Sequence, residues 1–279
     1  FGFFYIKSLK IFLRHNNVSN NIVFYALLFM FCYSNPIYNI NGVRFWTAAW
    51  IGVYGALSVF VEKDYKKLPL LILLPLVHGS SVIWVVIMAI ALLLSRFQNI
   101  TIGLFIASSF VSAVSYLNIM NDYSYLLPQF LQNQIWSYTE SEMALKRLSG
   151  VSQYGKAYAD FLIALPGYFQ ILLSYLLILN RKEINRDKRA GYVLTIMLAL
   201  AAITNFLSGI PSMGRFKALV IPMLVIVWAY NYRILKKYDK YFNVVPFIYA
   251  YSLLYWSAIS ELYLYIFPAP LTVIKYLFL

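Results

Sequence analysis

The sequence predicts an all-α membrane protein, a polytopic transmembrane helical bundle. Of its 279 residues, 62% are hydrophobic and only 12% are charged, a balance outside the range of soluble domains of this size. Apolar runs of about 20 residues, long enough to cross a bilayer as helices, recur along the chain. Sixteen of the 23 Lys and Arg residues lie in the short segments between these runs. Such basic segments mark the cytoplasmic side of a membrane protein.

Taken in order, the apolar runs predict about eight full spans and one short or broken span. The full spans are expected at residues 21–34, 43–61, 79–95, 100–120, 157–180, 191–210, 216–232 and 244–261. The basic clusters that separate them lie at 7–14, 63–67, 96, 181–189 and 233–240.

The apolar stretch 68–95 admits two readings. It is either one long helix, or a short segment 68–77 that meets a full helix at His78-Gly79-Ser80-Ser81. One long helix would place the dense basic cluster 181–189 outside, against the orientation bias, so charge favours the split. A ten-residue run rises only about 15 Å as a helix, half the hydrocarbon thickness, and is expected to be tilted or partly re-entrant. Broken helices in membranes line cavities, and His78 would lie at this break.

One segment, 121–156, is too polar to cross a bilayer and is expected to be an external loop of a single transmembrane domain, 1–279. Within it, Thr139 and Glu142 have the spacing of a capping box, which predicts a short surface helix at 140–148 over the external mouth. No basic n-region followed by a cleavage site appears, so no signal peptide is predicted. The chain opens with Phe1 rather than Met, which suggests that upstream residues are missing.

This topology leaves Arg44, His78 and Arg215 at the membrane face opposite the basic clusters. Arg44 opens one helix after Asn-Gly-Val, and Arg215 opens another after Met-Gly. Lys217, close behind Arg215, is a further candidate to bind a diphosphate. A helix N-terminus with a guanidinium group is a natural clamp for phosphate oxygens. The plain alternative for each arginine is a side chain that reaches the lipid headgroups. Two converging arginines would neutralise a diphosphate leaving group.

His78 is predicted either to donate a hydrogen bond to the diphosphate or to transfer a proton, and its plain alternative is a packing residue. Among the external carboxylates, Asp160 and Glu261 have the most unusual placements, inside a helix and near a helix end. Either is a candidate to accept the proton of an incoming hydroxyl, although a carboxylate that reaches the headgroups is the default for both.

Several classes of chemistry are not indicated by the sequence. The second histidine, His15, lies in the cytoplasmic N-terminal stretch and Cys32 is the only cysteine, so no metal site is predicted. There is no glycine-rich nucleotide loop and no hydrolase motif, and no cofactor is expected. Topology accounts for most of the net charge of +13, which argues against a nucleic-acid partner.

The order of these features resembles the EpsG family, which is related to the Wzy O-antigen and capsular polysaccharide polymerases. The resemblance runs from about Ile6 to Trp228 and is most specific over Asn41–Trp84. It rests on Asn-Gly-x-Arg at 41–44, the Lys-rich turn at 63–67, His-Gly-Ser-Ser at 78–81, the long external loop, and Gly-Arg-Phe at 214–216. Family members carry an upstream Asp-Tyr element that is missing here. Either the chain begins partway into the protein or it departs from the pattern, and the identity of the catalytic acid or base stays open.

The resemblance implies a GT-C-like fold and a metal-independent, inverting glycosyltransferase. Such an enzyme would join oligosaccharide repeat units carried on undecaprenyl diphosphate, at the periplasmic or exterior face of a bacterial inner or plasma membrane. By carry-over, Arg44, His78 and Arg215 take diphosphate-binding roles. The implied partners are the lipid-linked donor and acceptor, membrane lipid and other polysaccharide-assembly proteins. Three alternatives stay open: a flippase or transporter of lipid-linked oligosaccharide, a membrane acyltransferase, and a noncatalytic assembly subunit.

Overall fold

A computed structural model describes residues 2–19, 21–34, 43–110, 124–126, 129, 132, 157–208 and 213–249. These residues form α-helices joined by short 3-10 and π-helical turns, with no strand among them. The predicted all-α class is confirmed.

The first half of the described chain contains α1 (Gly2–Arg14), α2 (Ile22–Tyr33), α3 (Val43–Ala56), α4 (Leu68–Ile72), α5 (Leu74–Val77), α6 (Val82–Leu94) and α7 (Gln98–Phe110). A π-helical turn, Leu57–Val61, continues α3, and 3-10 turns at Tyr65–Lys67 and Gly79–Ser81 precede α4 and α6.

The second half contains α8 (Ala157–Leu179), α9 (Arg181–Ile184), α10 (Lys188–Leu207), α11 (Val220–Tyr230) and α12 (Tyr232–Leu235). A 3-10 helix, Met213–Leu219, leads into α11, and another, Lys236–Val244, follows α12. The segment that contains Arg215 therefore begins as a 3-10 helix at Met213, three residues before the α-helix that is predicted to start at Phe216.

Helix α10 forms the centre of the fold and packs against α6, α7 and α11. Its side chains are apolar around the whole circumference, as expected for a helix with protein on all sides. Two buried hydroxyls within it, Thr195 and Thr204, donate to the carbonyls of Gly191 and Leu200. The helix therefore buries these polar groups with their hydrogen bonds satisfied.

Helix α1 was not anticipated, because the sequence places its lysines in a basic cytoplasmic stretch. Lys7 and Lys10 are exposed, whereas Ile11 and Phe12 are buried, so the helix is amphipathic. It packs on α3, and the Tyr5 ring meets the indole of Trp50 edge-on at 4.6 Å. An apolar face with a spacing of three to four residues explains both the helix and its burial.

The predicted break at His78 is confirmed. Helices α4 and α5 are short, and each carries a proline in its first turn, Pro69 and Pro75. His78 then adopts extended backbone angles, φ −152° and ψ 122°, and a new turn begins at Gly79. The Ser81 N–H donates to the His78 carbonyl at 2.8 Å, which starts the following helix.

Two glycines of α3 allow the broken segment to lie close to that helix. A Cβ at Gly55 would lie 2.5 Å from Leu71 Cδ2, and one at Gly52 would lie 3.4 Å from Leu74 Cδ1. Leu71 and Leu74 are both buried in this contact. The close approach fixes α4 and α5, and therefore the position of His78, relative to α3.

The two ends of α3 carry different charged groups. Arg44 lies in its first turn, whereas Arg189 donates to the Val61 carbonyl at the other end, from Nε at 2.9 Å and also from Nη2. Arg14 and Glu62 form an ion pair beside that end. The helix and its π-helical turn span about 28 Å at 1.5 Å per residue. Arg14 and Arg189, from two of the basic clusters, therefore lie at the opposite end of this span from Arg44.

By length and apolarity, two of the described helices qualify as membrane spans, Val43–Val61 and Lys188–Leu207. A third qualifies if Gly214–Tyr230 and Tyr232–Tyr249, which meet at 81°, form one bent span. Shorter apolar helices occupy Ile22–Tyr33, Gly79–Leu94 and Ala164–Leu179. Most of the predicted external loop, including its surface helix 140–148, lies outside the described residues.

Candidate functional site

A cleft of about 690 Å³ opens where the broken segment meets the start of α3. Its lining residues come from the first turn of α3 and from the break itself: Val43, Arg44, Phe45, Leu76, Val77, His78 and Gly79. Arg44 and His78, two of the four residues predicted to bind a diphosphate, thus share one cavity.

Arg44 is the second residue of α3 and is exposed to the cleft. The N–H groups of the first turn of a helix have no partners within that helix, and they carry partial positive charge. The Arg44 guanidinium and the first-turn N–H groups of α3 both carry positive charge, so both favour binding of an anion.

His78 is half-buried and held by two contacts. Its ring meets the ring of Phe45 edge-to-face, with centroids 5.4 Å apart and planes at 85°. Its Nδ1 lies 2.8 Å from the hydroxyl oxygen of Ser80. The imidazole is therefore oriented by protein groups on two sides.

Arg215 lies beside this cleft rather than in its lining. Its guanidinium carbon is 4.7 Å from the centroid of the Phe45 ring, a cation–π arrangement. Phe45 also contacts His78, so His78 and Arg215 meet at one aromatic ring, and Arg44 is the chain neighbour of that ring. The structure brings Arg44, His78 and Arg215 together.

An aromatic cluster holds the three elements of the site in register. Phe45 of α3, Trp84 of α6 and Phe216 of the 3-10 helix pack with centroids 5.0 to 6.0 Å apart. Their side chains are 3%, 1% and 2% exposed. Buried aromatic clusters of this kind contribute packing and directional ring contacts, so they fix the arginines rather than react.

The remaining predicted residues are placed less directly. Lys217 is half-buried in the same 3-10 helix as Arg215 but does not line the cleft. The backbone of Asp160 belongs to α8, while its side chain and all of Glu261 lie outside the described residues. Their assignment as proton acceptors stays a prediction.

His15 belongs to a different part of the fold. Its Nε2 lies 3.7 Å from a carboxylate oxygen of Glu62, which follows the far end of the α3 span. Burial, together with the charge of Arg189, lowers the pKa of His15. His15 and His78 therefore do not share a site.

In the described part of the chain, the cleft carries positive groups and no carboxylate in its lining. A cavity with a guanidinium, an oriented imidazole and a helix N-terminus, and a second guanidinium nearby, is suited to an anionic group with several oxygens. The part of the lining contributed by α5, Leu76 and Val77, is apolar.

Sequence reasoning missed the role of Phe45, Trp84 and Phe216, and it noted Ser80 without assigning it a contact. Each site arginine is followed directly by a phenylalanine, in the pairs 44–45 and 215–216, but Arg96 is also followed by Phe97. The pairing therefore does not single out the site, and no local signal distinguishes these phenylalanines in a chain of many aromatic residues.

The family model for EpsG matches residues 2–270. The match covers every residue of the cleft and of the aromatic cluster, and it extends beyond the region in which the motifs carry the resemblance. No curated protein and no solved structure matches the chain.

Proposed function

The chain belongs to the EpsG family, and on that premise we propose that it is a membrane polysaccharide polymerase. Membership suggests a membrane protein of polysaccharide assembly with glycosyltransferase-like activity. The proposed reaction joins oligosaccharide repeat units carried on undecaprenyl diphosphate. Both the donor and the acceptor are lipid-linked, and the products are a longer glycan and free undecaprenyl diphosphate.

The observation that carries the proposal is the shared position of Arg44 and His78 in one cleft, with Arg215 over the Phe45 ring that His78 also contacts. As the diphosphate leaves, negative charge develops on the oxygen that had joined it to the sugar. Fixed cations placed where that charge develops lower the barrier to departure. The guanidinium groups of Arg44 and Arg215, with Lys217 behind them, are proposed to serve this purpose.

In the proposed step, an acceptor hydroxyl oxygen attacks the anomeric carbon of the donor from the face opposite the diphosphate. The new C–O bond forms as the bond to the diphosphate breaks, which inverts the configuration. The electron pair stays on the diphosphate, and the hydroxyl proton passes to a base, for which Asp160 and Glu261 are the candidates. Fixed guanidinium charge plays the electrostatic part that a metal ion plays in other transferases, so the reaction is proposed to be metal-independent.

The apolar side of the cleft supports a lipid-linked substrate. Leu76 lines the cleft and is 82% exposed, and Ile72 and Leu73 before it are also exposed. This surface would let a polyprenyl chain lie along α4 and α5 while its charged head reaches Arg44. A soluble sugar nucleotide would make no use of that surface.

The proposed setting is the bacterial inner or plasma membrane, with the cleft on the periplasmic or exterior side. We propose about eight full spans and one short span in a GT-C-like arrangement. The basic residues around Val61 and Arg189 would then lie on the cytoplasmic side. The short helices α4 and α5 form the broken span.

The test is an assay of the purified full chain in lipid nanodiscs, with a lipid-linked repeat unit as both donor and acceptor. We expect a ladder of longer glycans, release of undecaprenyl diphosphate, and the same rate in the presence of a chelator. Transbilayer movement of the substrate in proteoliposomes without glycan growth would instead identify a flippase. Transfer of an acyl group to the glycan would identify an acyltransferase.

A further inference from the structure

Ser80 is the polar neighbour of His78 on the side away from Phe45. The two residues are separated by one glycine in the turn that follows the break, and Ser80 Oγ lies 2.8 Å from His78 Nδ1. Among the described residues, Ser80 is the only hydrogen-bond partner found for the ring, and it engages Nδ1 rather than the other ring nitrogen, Nε2. Because His78 lines the cleft, Nε2 is the nitrogen left to meet a ligand there.

The chemistry of an anionic ligand decides which nitrogen has to carry the proton. A diphosphate presents only acceptor oxygens, so Nε2 can bond to it only as an N–H donor. In neutral imidazole, a proton on Nε2 leaves a lone pair on Nδ1. A serine hydroxyl can rotate to donate to that lone pair, which stabilises this tautomer and fixes the ring.

We propose that Ser80 is a positioning residue: its hydroxyl donates to Nδ1 of His78 and thereby holds Nε2–H toward the cleft as the donor to the substrate diphosphate. This role rests on the proposed function, because it assumes an anion in the cleft. The hydrogen bond itself exists with or without a ligand and is tested separately.

The chain has only two histidines, which allows a direct spectroscopic test. Substitution His15→Gln leaves His78 as the single imidazole, so ¹⁵N-histidine labelling of the full chain in nanodiscs reports on one ring. With the ring neutral, we expect a protonated Nε2 and an unprotonated, hydrogen-bonded Nδ1. In Ser80→Ala, the Nδ1 resonance should move toward that of a nitrogen without a hydrogen bond.

Ser81→Ala is the matched control. Ser81 lies in the same turn and is fully buried, and its hydroxyl has no hydrogen-bond partner among the described residues. Its loss should leave the His78 spectrum unchanged, and Ser80→Thr, which keeps a hydroxyl, should restore it. A proton on Nδ1 in the starting protein, or an unchanged Nδ1 resonance in Ser80→Ala, would overturn the proposal.

The second measurement uses inorganic pyrophosphate as the probe and follows the His78 Nε2 resonance. We expect Ser80→Ala to weaken binding about three- to tenfold, the range for one hydrogen bond between neutral groups. In polymerisation assays, Ser80→Ala should lower the rate only when His78 is present. His78→Gln places an amide donor near the Nε2 position but offers no Nδ1, so adding Ser80→Ala to it should change nothing.

The two measurements separate the two claims. If pyrophosphate leaves the Nε2 resonance of the starting protein unmoved, the diphosphate site proposed above is wrong. If pyrophosphate moves that resonance equally with and without the Ser80 hydroxyl, the diphosphate site stands and the positioning role is wrong.

Discussion

Arg44 is exposed, opens a helix and lines a cleft with a histidine. An arginine at a helix end can reach water or the lipid headgroups, so exposure alone does not assign it a role. The cleft favours a diphosphate ligand, since the first-turn N–H groups and the guanidinium would act on the same anion.

We predict that Arg44→Ala lowers the polymerisation rate on the order of 10²-fold, the effect of removing one donor from a preorganised anion site. Arg44→Lys should also be strongly impaired, because an ammonium group cannot make the bidentate contact. Gel analysis of lipid-linked glycans should then show single repeats in place of polymer. Arg96→Ala, an exposed arginine after the opposite end of α6, is the control and should leave the polymer unchanged. Normal polymer length in Arg44→Ala would contradict the proposed role.

Site residues of a rare type can be recognised from the sequence, whereas site residues of a common type cannot. Arg44, His78 and Arg215 are conspicuous because polar groups are scarce among apolar runs, and the structure brings them together. Phe45 is equally central to the geometry, but phenylalanine and tyrosine suit lipid contact and helix packing everywhere in such a chain. Its contacts with His78 and Arg215 arise only when α3, the break and the 3-10 helix meet in space.

Among the elements, the broken segment depends on its close contact with α3. We predict that Gly55→Ala displaces α4, because the added methyl group would lie 2.5 Å from Leu71 Cδ2, and that it lowers both the melting temperature in detergent and the polymerisation rate. Gly103→Ala in α7 has open space around the new Cβ and should be neutral or slightly stabilising, since alanine favours helix.

A double substitution decides whether the predicted loss comes from this contact. In a Leu71→Ala background the obstructing side chain is gone, so Gly55→Ala should cost much less than it does in the native chain. An equal cost in both backgrounds would show that the methyl group acts elsewhere.

The start of α10 is joined to the end of α11 by one carboxylate. Asp187 Oδ1 accepts from the N–H groups of Arg189 and Ala190 at 2.8 and 3.3 Å, and its Oδ2 accepts from the Tyr230 hydroxyl at 2.6 Å. The Tyr230 hydrogen bond lowers the pKa of Asp187 most, and the two backbone N–H groups and Arg189 add to it against the effect of burial. Asp187→Ala should cost about 1 kcal/mol of folding free energy, as for other N-cap residues.

The depressed pKa of Asp187 also predicts a pH dependence. The unfolded chain takes up the proton at a higher pH than the folded chain, so the stabilisation is fully present above the ordinary value near pH 4 and is lost as pH falls through the folded value. The melting temperature of the native chain should therefore fall more steeply below about pH 4 than that of Asp187→Asn. Glu183→Gln, at an exposed carboxylate nearby, should retain the steep fall; identical curves for native chain and Asp187→Asn would contradict the assignment.

Some secondary-structure elements of this fold can be predicted from the sequence and others cannot. The break at His78 is predicted because the charge pattern requires the apolar stretch 68–95 to be split. The π-helical turn Leu57–Val61 has no local sequence signature. The two hydrogen bonds that Arg189 donates to the Val61 carbonyl join residues 128 positions apart. Such long-range contacts depend on how α3 and α10 pack, which a pattern of apolar residues does not specify.

In the part of the chain that the structure describes, two groups of polar and charged residues lie at opposite ends of the α3 span. Arg14, Glu62 and Arg189 gather at one end, and Arg44, His78 and Arg215 at the other. The composition and the apolar runs predict this separation, since basic segments alternate with spans. The depth of each helix in a bilayer and the number of complete spans depend on helix ends and tilt, which hydropathy alone leaves undetermined.

Cysteine labelling on either side of α10 tests the proposed orientation in the membrane. Its 20 residues rise about 30 Å, the hydrocarbon thickness, so groups beyond its two ends should lie on opposite membrane faces. In a Cys32→Ser background, which should not label, Lys182→Cys and Gly214→Cys each introduce one thiol. Both positions are exposed, and a Cβ at Gly214 meets no atom closer than 3.9 Å. An impermeant maleimide should modify Gly214→Cys in intact cells and Lys182→Cys only after permeabilisation. Labelling of both from the same side would remove the separation on which an external diphosphate site depends, because Arg215 follows Gly214 directly in the chain.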